Sequence, residues 1–483
     1  MIAPLYQDIV RNFPFEPTHE QSVAANLLAN FVSGSGAKPL FLLKGYAGTG
    51  KTTLVSALVR TLARHRQRVV LMAPTGRAAK VFSNLSGFPA CTIHKKIYRQ
   101  KSILDTECFQ LDRNMHENTL FLVDEASMIS NEGLSGMTFG TGRLLDDLVS
   151  YVYSGKDCRL LMLGDQAQLP PVGEMESPGL SARFMQSYGL NVTEYCLTEV
   201  MRQMQESGIL HNATRLRNAL YDIEELTVSG FKFRLKGFKD VIRVSGDELI
   251  ETISTCYSRD GIDETMILCR SNRRAGIYNN GIRNTVLDRE DELNRGDCLM
   301  IVRNNYYWTE RLAVDVDTDS YQKLPSFIAN GDIAVVRRVR RHRELYGFHF
   351  EDAVLAFPDY DDLEMDVTLL LDTLHNDSPA LTREESDRLF QSVMLDFQDE
   401  PDRKERMKKI RENAHFNALQ VKYAYAVTCH KAQGGQWMNI FIDQGYIADD
   451  MRDEDYFRWL YTALTRATQR VYLVNWPEQG LDQ

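Results

Sequence analysis

Two carboxylates, a lysine and a hydroxyl carry the chemistry that is easiest to see in this chain. Gly45-Tyr46-Ala47-Gly48-Thr49-Gly50-Lys51-Thr52 fits GxxxxGK[ST], the pattern in which backbone N–H groups of a glycine loop cradle phosphates. In such a loop Lys51 reaches the β- and γ-phosphates, and the Thr52 hydroxyl holds Mg²⁺. Downstream, Asp124 and Glu125 are adjacent. In that setting Asp124 serves the Mg²⁺ shell, through a water, and Glu125 polarises the attacking water of a phosphoryl transfer. A glycine-rich turn and a solvated Asp-Glu pair are the bland alternatives, and the flanking elements decide between them.

Those elements are legible. Leu40-Phe41-Leu42-Leu43 is a short apolar run before the loop, and Leu54, Leu58 and Leu62 recur at helical spacing after it. Val69–Met72, Leu120–Val123 and Leu160–Leu163 are further strand-like runs. Each leads into a polar loop, Ala73-Pro74-Thr75-Gly76-Arg77, Asp124-Glu125-Ala126-Ser127 and Gly164-Asp165-Gln166. Strands of a doubly wound sheet present their ligand at their carboxyl ends, so these loops are expected to converge on one crevice. A strand followed by a glycine loop and a helix start is also the geometry in which a helix dipole meets phosphate.

The ordered set resembles a helicase of superfamily 1, in its 5′-to-3′ RecD/Dda-like branch, over nearly the whole chain. Phe15-Glu16-Pro17-Thr18-His19-Glu20-Gln21 is similar to the Q motif, and Thr75-Gly76-Arg77 and Thr92-Ile93-His94-Lys95 resemble DNA-contacting motifs. Gly164-Asp165-Gln166-Ala167-Gln168 resembles the γ-phosphate sensor, Leu197–Gln203 an arginine-finger motif, and Tyr425–Gly434 the motif coupling DNA to nucleotide. Leu460-Tyr461-Thr462-Ala463-Leu464-Thr465-Arg466 resembles a second arginine-finger motif. The resemblance implies an α/β chain of two RecA-like P-loop motor domains. A small hairpin interrupts the first domain, and an SH3-like β-barrel interrupts the second. The expected bounds are 1–190 for the first domain (hairpin about 95–118), 191–296 and 416–483 for the second, and 297–415 for the barrel insertion.

The same resemblance implies ATP and Mg²⁺ as cofactors and site roles residue by residue. Lys51, Glu125, Gln166, Arg202 and Arg466 are the expected catalytic set. Nucleotide contacts are expected from Gln21, Gly45, Ala47, Gly48, Thr49, Gly50, Lys51, Thr52 and Thr53. DNA contacts are expected from Pro74, Thr75, His94, Thr428 and His430, with Phe109 as a strand-separating wedge. His94 and His430 also fit core histidines. The coupling motif departs from the family at Ala432, where a hydroxyl is usual, and carries Cys429 before His430. The implied activity is ATP-driven 5′-to-3′ unwinding of DNA. Its alternatives are a translocase that displaces bound proteins, an RNA helicase, or a binding module without turnover. The implied partners are single-stranded DNA, forked or tailed duplex DNA, and proteins of replication, repair or recombination.

Composition sets the outer bounds. The 483 residues are 43% apolar and 25% charged with net charge −10, ordinary globular values that exclude bulk disorder and argue against coating nucleic acid by overall charge. That length suggests about three domains. No apolar run approaches the ~20 residues a spanning helix needs, and the first residues lack a signal-peptide pattern. A cytoplasmic protein is expected, nucleoid-associated in a bacterial host. The 8 cysteines show no metal-ligand spacing and read as reduced thiols. Among the remaining features, Arg337–Arg343 fits a DNA-facing cluster or a solvated strand end equally well. Asp359–Asp366 reads as a solvated acidic loop, and Thr382-Arg383-Glu384-Glu385 as a capping box opening a helix.

Overall fold

The computed structural model describes residues 2–100, 109–133, 139–200, 206–314, 325, 327–448 and 451–482. The chain forms two compact units. Among the described residues, one comprises 2–100, 109–246 and 432–482; the other comprises 247–431.

In the first unit six parallel strands form a sheet in the spatial order Ala90–Thr92, Arg68–Ala73, Thr119–Val123, Arg159–Gly164, Pro39–Gly45, Asn191–Leu197. The apolar runs form its centre, with Phe41 beside Leu161, and Phe121 between Val70 and Leu160. Such strands are buried on both faces and need no polar alternation. Leu54, Leu58 and Leu62 on the helix Lys51–Arg64 pack into the layer on one face, with Leu28 of the helix His19–Ser33. The strand Asn191–Leu197 pairs with Pro39–Gly45 and so belongs to this sheet, past the bound expected at 190. Tyr98–Gln100 and Phe109–Leu111 form the expected hairpin as an antiparallel pair, whose connection lies outside the described residues. The same unit holds three further parallel strands, Val241–Val244, Ala467–Val474 and Trp437–Asp443, and the helix Glu454–Leu464.

In the second unit Thr265–Cys269 pairs in parallel with Ala426–Thr428. A closed five-stranded barrel is built from Cys298–Ile301, Ile333–Leu345, Phe348–Phe357, Leu363–Leu370 and Leu419–Tyr423. Its closing strand lies beyond the bound expected at 415: Leu419 pairs in parallel with Leu369, while Val421 pairs antiparallel with Ile301. The arginine cluster lies along the second barrel strand. Arg337 meets Asp362 and Glu364, Arg340 meets Asp366 at 2.5 Å, and Arg343 meets Asp352 at 2.6 Å. The acidic stretch thus in part begins the strand Leu363–Leu370, one strand beyond Phe348–Phe357, and its side chains reach Arg337 and Arg340 in exposed pairs worth little stability. Thr382 caps the helix Arg383–Leu395 in a full capping box with Glu385. Trp308 is buried, and its indole N–H donates to the Asn417 carbonyl at 2.9 Å, so it is a core residue of this unit.

Asp332 is buried in the barrel, where it accepts from the Ala329 N–H and the Tyr360 hydroxyl, both at 2.8 Å. Burial pushes its carboxyl up to about 7. An acid that holds its proton longer when folded loses stability as pH rises from its unfolded value through the folded one. Asparagine keeps both hydrogen bonds without the charge. Asp332→Asn is therefore expected to raise stability at pH 8, by at most about 4 kcal/mol for a shift of roughly three units. At pH 5, nearer the unfolded value, the gain is expected to shrink to at most about 1.6 kcal/mol. Denaturant melts at the two values measure this, and an equal effect at both would refute it.

Candidate nucleotide site and nucleic-acid contacts

The phosphate loop leaves its buried strand at Gly45 and enters the helix at Lys51. Gly48 and Gly50 take φ of 76° and 79°, the left-handed region that favours glycine. At Gly48 a side chain would also press on Leu210 at 3.1 Å. The helix has no side-chain cap, and Lys51, Thr52 and Thr53 form its first turn, which leaves N-terminal N–H groups and the positive dipole end for an anion.

The loop is braced by its own chain. Lys51 Nζ donates to the carbonyls of Gly45 at 2.6 Å and Tyr46 at 3.0 Å, and Thr49 Oγ1 donates to the Tyr46 carbonyl at 2.8 Å. Gln21 is fully buried. Its amide donates to the Thr49 carbonyl at 2.9 Å, and its oxygen accepts the Thr18 N–H at 3.0 Å. Here a residue expected to contact the nucleotide fixes the loop from behind and completes a helix cap.

The carboxylates follow the buried strand Thr119–Val123. Glu125 takes φ 52° and ψ 40°, left-handed backbone for a non-glycine residue, and its N–H donates to Asp124 Oδ1 at 2.8 Å. Such strain costs roughly 1–3 kcal/mol and clusters at functional sites. Burial and the neighbouring Glu125 charge push Asp124 up to about 7. A carboxylate in that setting is short of positive charge. One such carboxylate and the Thr52 hydroxyl fit Mg²⁺, which takes one or two protein oxygens and completes its shell with water and phosphate.

The sensor loop follows Arg159–Gly164. Asp165 is buried, with Oδ1 on the Ala167 N–H at 2.9 Å and Oδ2 on the Tyr461 hydroxyl at 2.7 Å. Gln166 is the exposed residue of a buried stretch, its amide 3.5 Å from the Leu180 carbonyl.

Residues of the C-terminal helix Glu454–Leu464 complete the assembly. Arg458 Nη1 donates to the Gln166 carbonyl at 2.5 Å, and Thr462 Oγ1 accepts the Leu169 N–H at 2.8 Å. The Tyr461 hydroxyl, besides donating to Asp165, accepts the Ala47 N–H of the phosphate loop at 3.1 Å. Two residues past the helix, Arg466 is 2% exposed; its Nη1 is 3.6 Å from Glu125 Oε1 and 3.3 Å from the Gly435 carbonyl. Its Nε has no partner among the described residues. Gln433, next to the departing Ala432, donates to the Leu169 carbonyl at 2.7 Å.

Arg458, Tyr461 and Thr462 had no role in the sequence-based expectation. Their signal is the spacing i, i+3, i+4, which sets three polar side chains on one helix face. Tyr461→Phe keeps the ring but leaves a buried Asp165 oxygen and the Ala47 N–H without this partner. It is expected to cost about 1–3 kcal/mol of stability and to lower kcat without raising KM for ATP. A raised KM with unchanged kcat would refute that assignment.

Of the expected DNA contacts in the first unit, Thr75 Oγ1 accepts the Ala78 N–H at 3.2 Å as a helix cap, and Pro74 precedes it. Arg77 stacks over Trp437 at 4.1 Å. His94 packs edge-on to Phe139 at 4.9 Å, and burial pushes its pKa down to about 4, so its ring is neutral at neutral pH. Phe109 begins its hairpin strand opposite Gln100, at the end next to the connection, and sits half-buried 5.0 Å from Phe139. In the second unit Thr428 ends its strand beside Cys269, and His430 lies on the short helix Cys429–Ala432. Arg202 lies outside the described residues.

The family described as "AAA domain" matches residues 21–227, and that described as "UvrD-like helicase C-terminal domain" matches 423–474. Together they span more than half of the chain. The ATP-dependent DNA helicase dda of Enterobacteria phage T4 is 25% identical over 54% of this chain and 55% of its own length. The ATP-dependent RecD2 DNA helicase of Deinococcus radiodurans is 29% identical over 36% of this chain and 21% of its own. A Pif1 helicase from Bacteroides, solved with ADP-AlF3 and single-stranded DNA, aligns over 97% of this chain and 95% of its own, with 14% identity and a TM-score of 0.47. With the phosphate loop, the Asp-Glu pair and the C-terminal arginine drawn into one site, the chain belongs to the superfamily 1 helicases, in the branch represented by RecD and Dda.

Proposed function

We propose that the protein is an ATP-driven DNA helicase that moves 5′ to 3′ on single-stranded DNA and separates duplex strands. The observation that carries this reading is the meeting of Arg466 with Glu125, which brings a C-terminal cation to the group placed to activate water. Phosphoryl transfer needs positioning and charge stabilisation above all. The phosphate loop and Lys51 hold the nucleotide, with Lys51 exchanging the Gly45 and Tyr46 carbonyls for phosphate. Thr52 and Asp124 are the residues that would hold Mg²⁺, which when bound neutralises phosphate charge. Glu125 orients the water and takes its proton, and Arg466 and Arg202 stabilise charge developing on the γ-phosphate. Gln166 senses that phosphate, and the bonds from Arg458, Tyr461 and Thr462 tie its loop to the C-terminal helix. DNA contacts are assigned to Pro74, Thr75, Thr428 and His430, and no helix among the described residues is long and apolar enough to cross a membrane.

Matched duplexes with a 5′ or a 3′ single-stranded tail, incubated with ATP and Mg²⁺, test the reading, with Lys51→Ala as the blank. Unwinding from the 5′ tail alone is expected. Unwinding from the 3′ tail alone would reverse the polarity, and DNA-stimulated hydrolysis without unwinding would favour a translocase.

A further inference from the structure

In the first unit, remote in sequence from the phosphate-loop, carboxylate and sensor motifs, a cavity of about 490 Å³ is lined by His211, Arg215, Arg234, Lys236 and Asp482. Three cations face one acid, in a chain whose net charge is −10. Asp482 is occupied by Arg215 at 2.9 Å, and the other nearby acid, Asp240, caps the start of the helix Gly208–Ala219 through Ser207, Gly208 and Ile209. Arg234 and Lys236 are exposed, and neither has an acidic partner among the described residues.

The platform beneath them is rigid. Buried Asn212 bonds both backbone groups of Arg234, accepting its N–H at 2.8 Å and donating to its carbonyl at 2.9 Å. His211 packs on Phe238 at 5.1 Å, and its Nε2 is buried without a hydrogen-bond partner among the described residues. Orphaned buried polar atoms are uncommon and call for a partner.

The segment Phe231-Lys232-Phe233-Arg234-Leu235-Lys236 alternates in exposure, with Phe233 buried, Phe231 and Leu235 half-buried and all three bases outward. Arg234 ends a two-residue strand paired with Leu481 and Asp482, and Lys236 follows in the turn after it. An acidic peptide would answer the charge as well, but in a chain read as a DNA helicase the polyanion at hand is the nucleic-acid backbone.

We propose that this cavity is a second nucleic-acid site, where Arg234, Lys236 and His211 take backbone phosphates of DNA outside the motor's own contacts. The proposal rests on the DNA-helicase reading. It is tested with fluorescein-labelled oligo-dT, a labelled tailed duplex and a labelled decaglutamate peptide. The full chain and Arg234→Glu/Lys236→Glu are titrated with each probe over a series of salt concentrations. Thermal melts and nucleotide affinity report folding, and Arg234→Gln/Lys236→Gln replaces the first variant should charge reversal unfold it.

The expected result is a roughly tenfold loss of DNA affinity at low salt. The salt slope should fall by about 1.4 on the single strand or about 1.8 on the duplex, for two phosphates released. The probe that loses affinity identifies which backbone is held. Equal affinities and slopes for variant and parent would overturn the site, as would a loss confined to the peptide. A parent chain that binds neither DNA would instead overturn the helicase reading itself, and the site with it.

Discussion

Glu125→Gln is expected to lower the ATP turnover rate by about 10²- to 10⁴-fold, the usual worth of a positioned general base, and to leave nucleotide affinity nearly intact. The substitution keeps size and an acceptor oxygen for the Arg466 guanidinium 3.6 Å away, while removing the group that can take a proton from water. Affinity should survive because its sources lie elsewhere, in Lys51, the loop N–H groups and the start of an uncapped helix. Single-turnover hydrolysis alongside titration with a fluorescent nucleotide measures the two separately. Turnover at the parental rate would remove Glu125 from the chemistry. Weakened binding with normal turnover would make it a nucleotide contact.

Arg466→Ala is expected to be as damaging to turnover, by about 10³- to 10⁵-fold where the arginine acts as a finger on the γ-phosphate. Two effects combine here. The transition state loses a fork of donors, and Glu125 loses its cation. A cycle with Glu125→Gln separates them, since residues acting as one unit give losses that do not add. The double variant should be little worse than either single one. Arg466→Lys should recover only a small part, because a point charge does not reproduce the planar guanidinium. A loss seen mainly in ATP affinity would assign Arg466 to binding instead.

Much of this site was legible because its carriers are local. The runs 40–43, 120–123 and 160–163 became adjacent parallel strands, and the loops after them carry Lys51, Glu125 and Gln166. Other features depend on partners far off in sequence. Periodicity cannot see that Asn191–Leu197 completes the first sheet, or that Leu419–Tyr423 closes the barrel, because both facts lie in pairing. The charge runs at 337–343 and 359–366 look like two solvated stretches until the barrel topology brings their side chains within reach across the strand Phe348–Phe357. Gln21 resembles a base-reading residue by motif, yet its neighbours are Thr18 and Thr49. Phe109 suits a wedge by type, but its place in the strand turns it onto Phe139. The role of Tyr461 needs the distances to Ala47 and Asp165 as well as the helix spacing.

The braced phosphate loop has a consequence for energy flow. Since Lys51 and the Ala47 N–H already hold bonds within the protein, nucleotide arrival is an exchange of partners, and its net affinity is the difference between two well-bonded states. The same internal bonds re-form once phosphate departs. On the proposed reading the loop behaves as a latch with a preferred rest position, and its relatching offsets part of the cost of product release, with Tyr461 joining that latch to the sensor loop through Asp165.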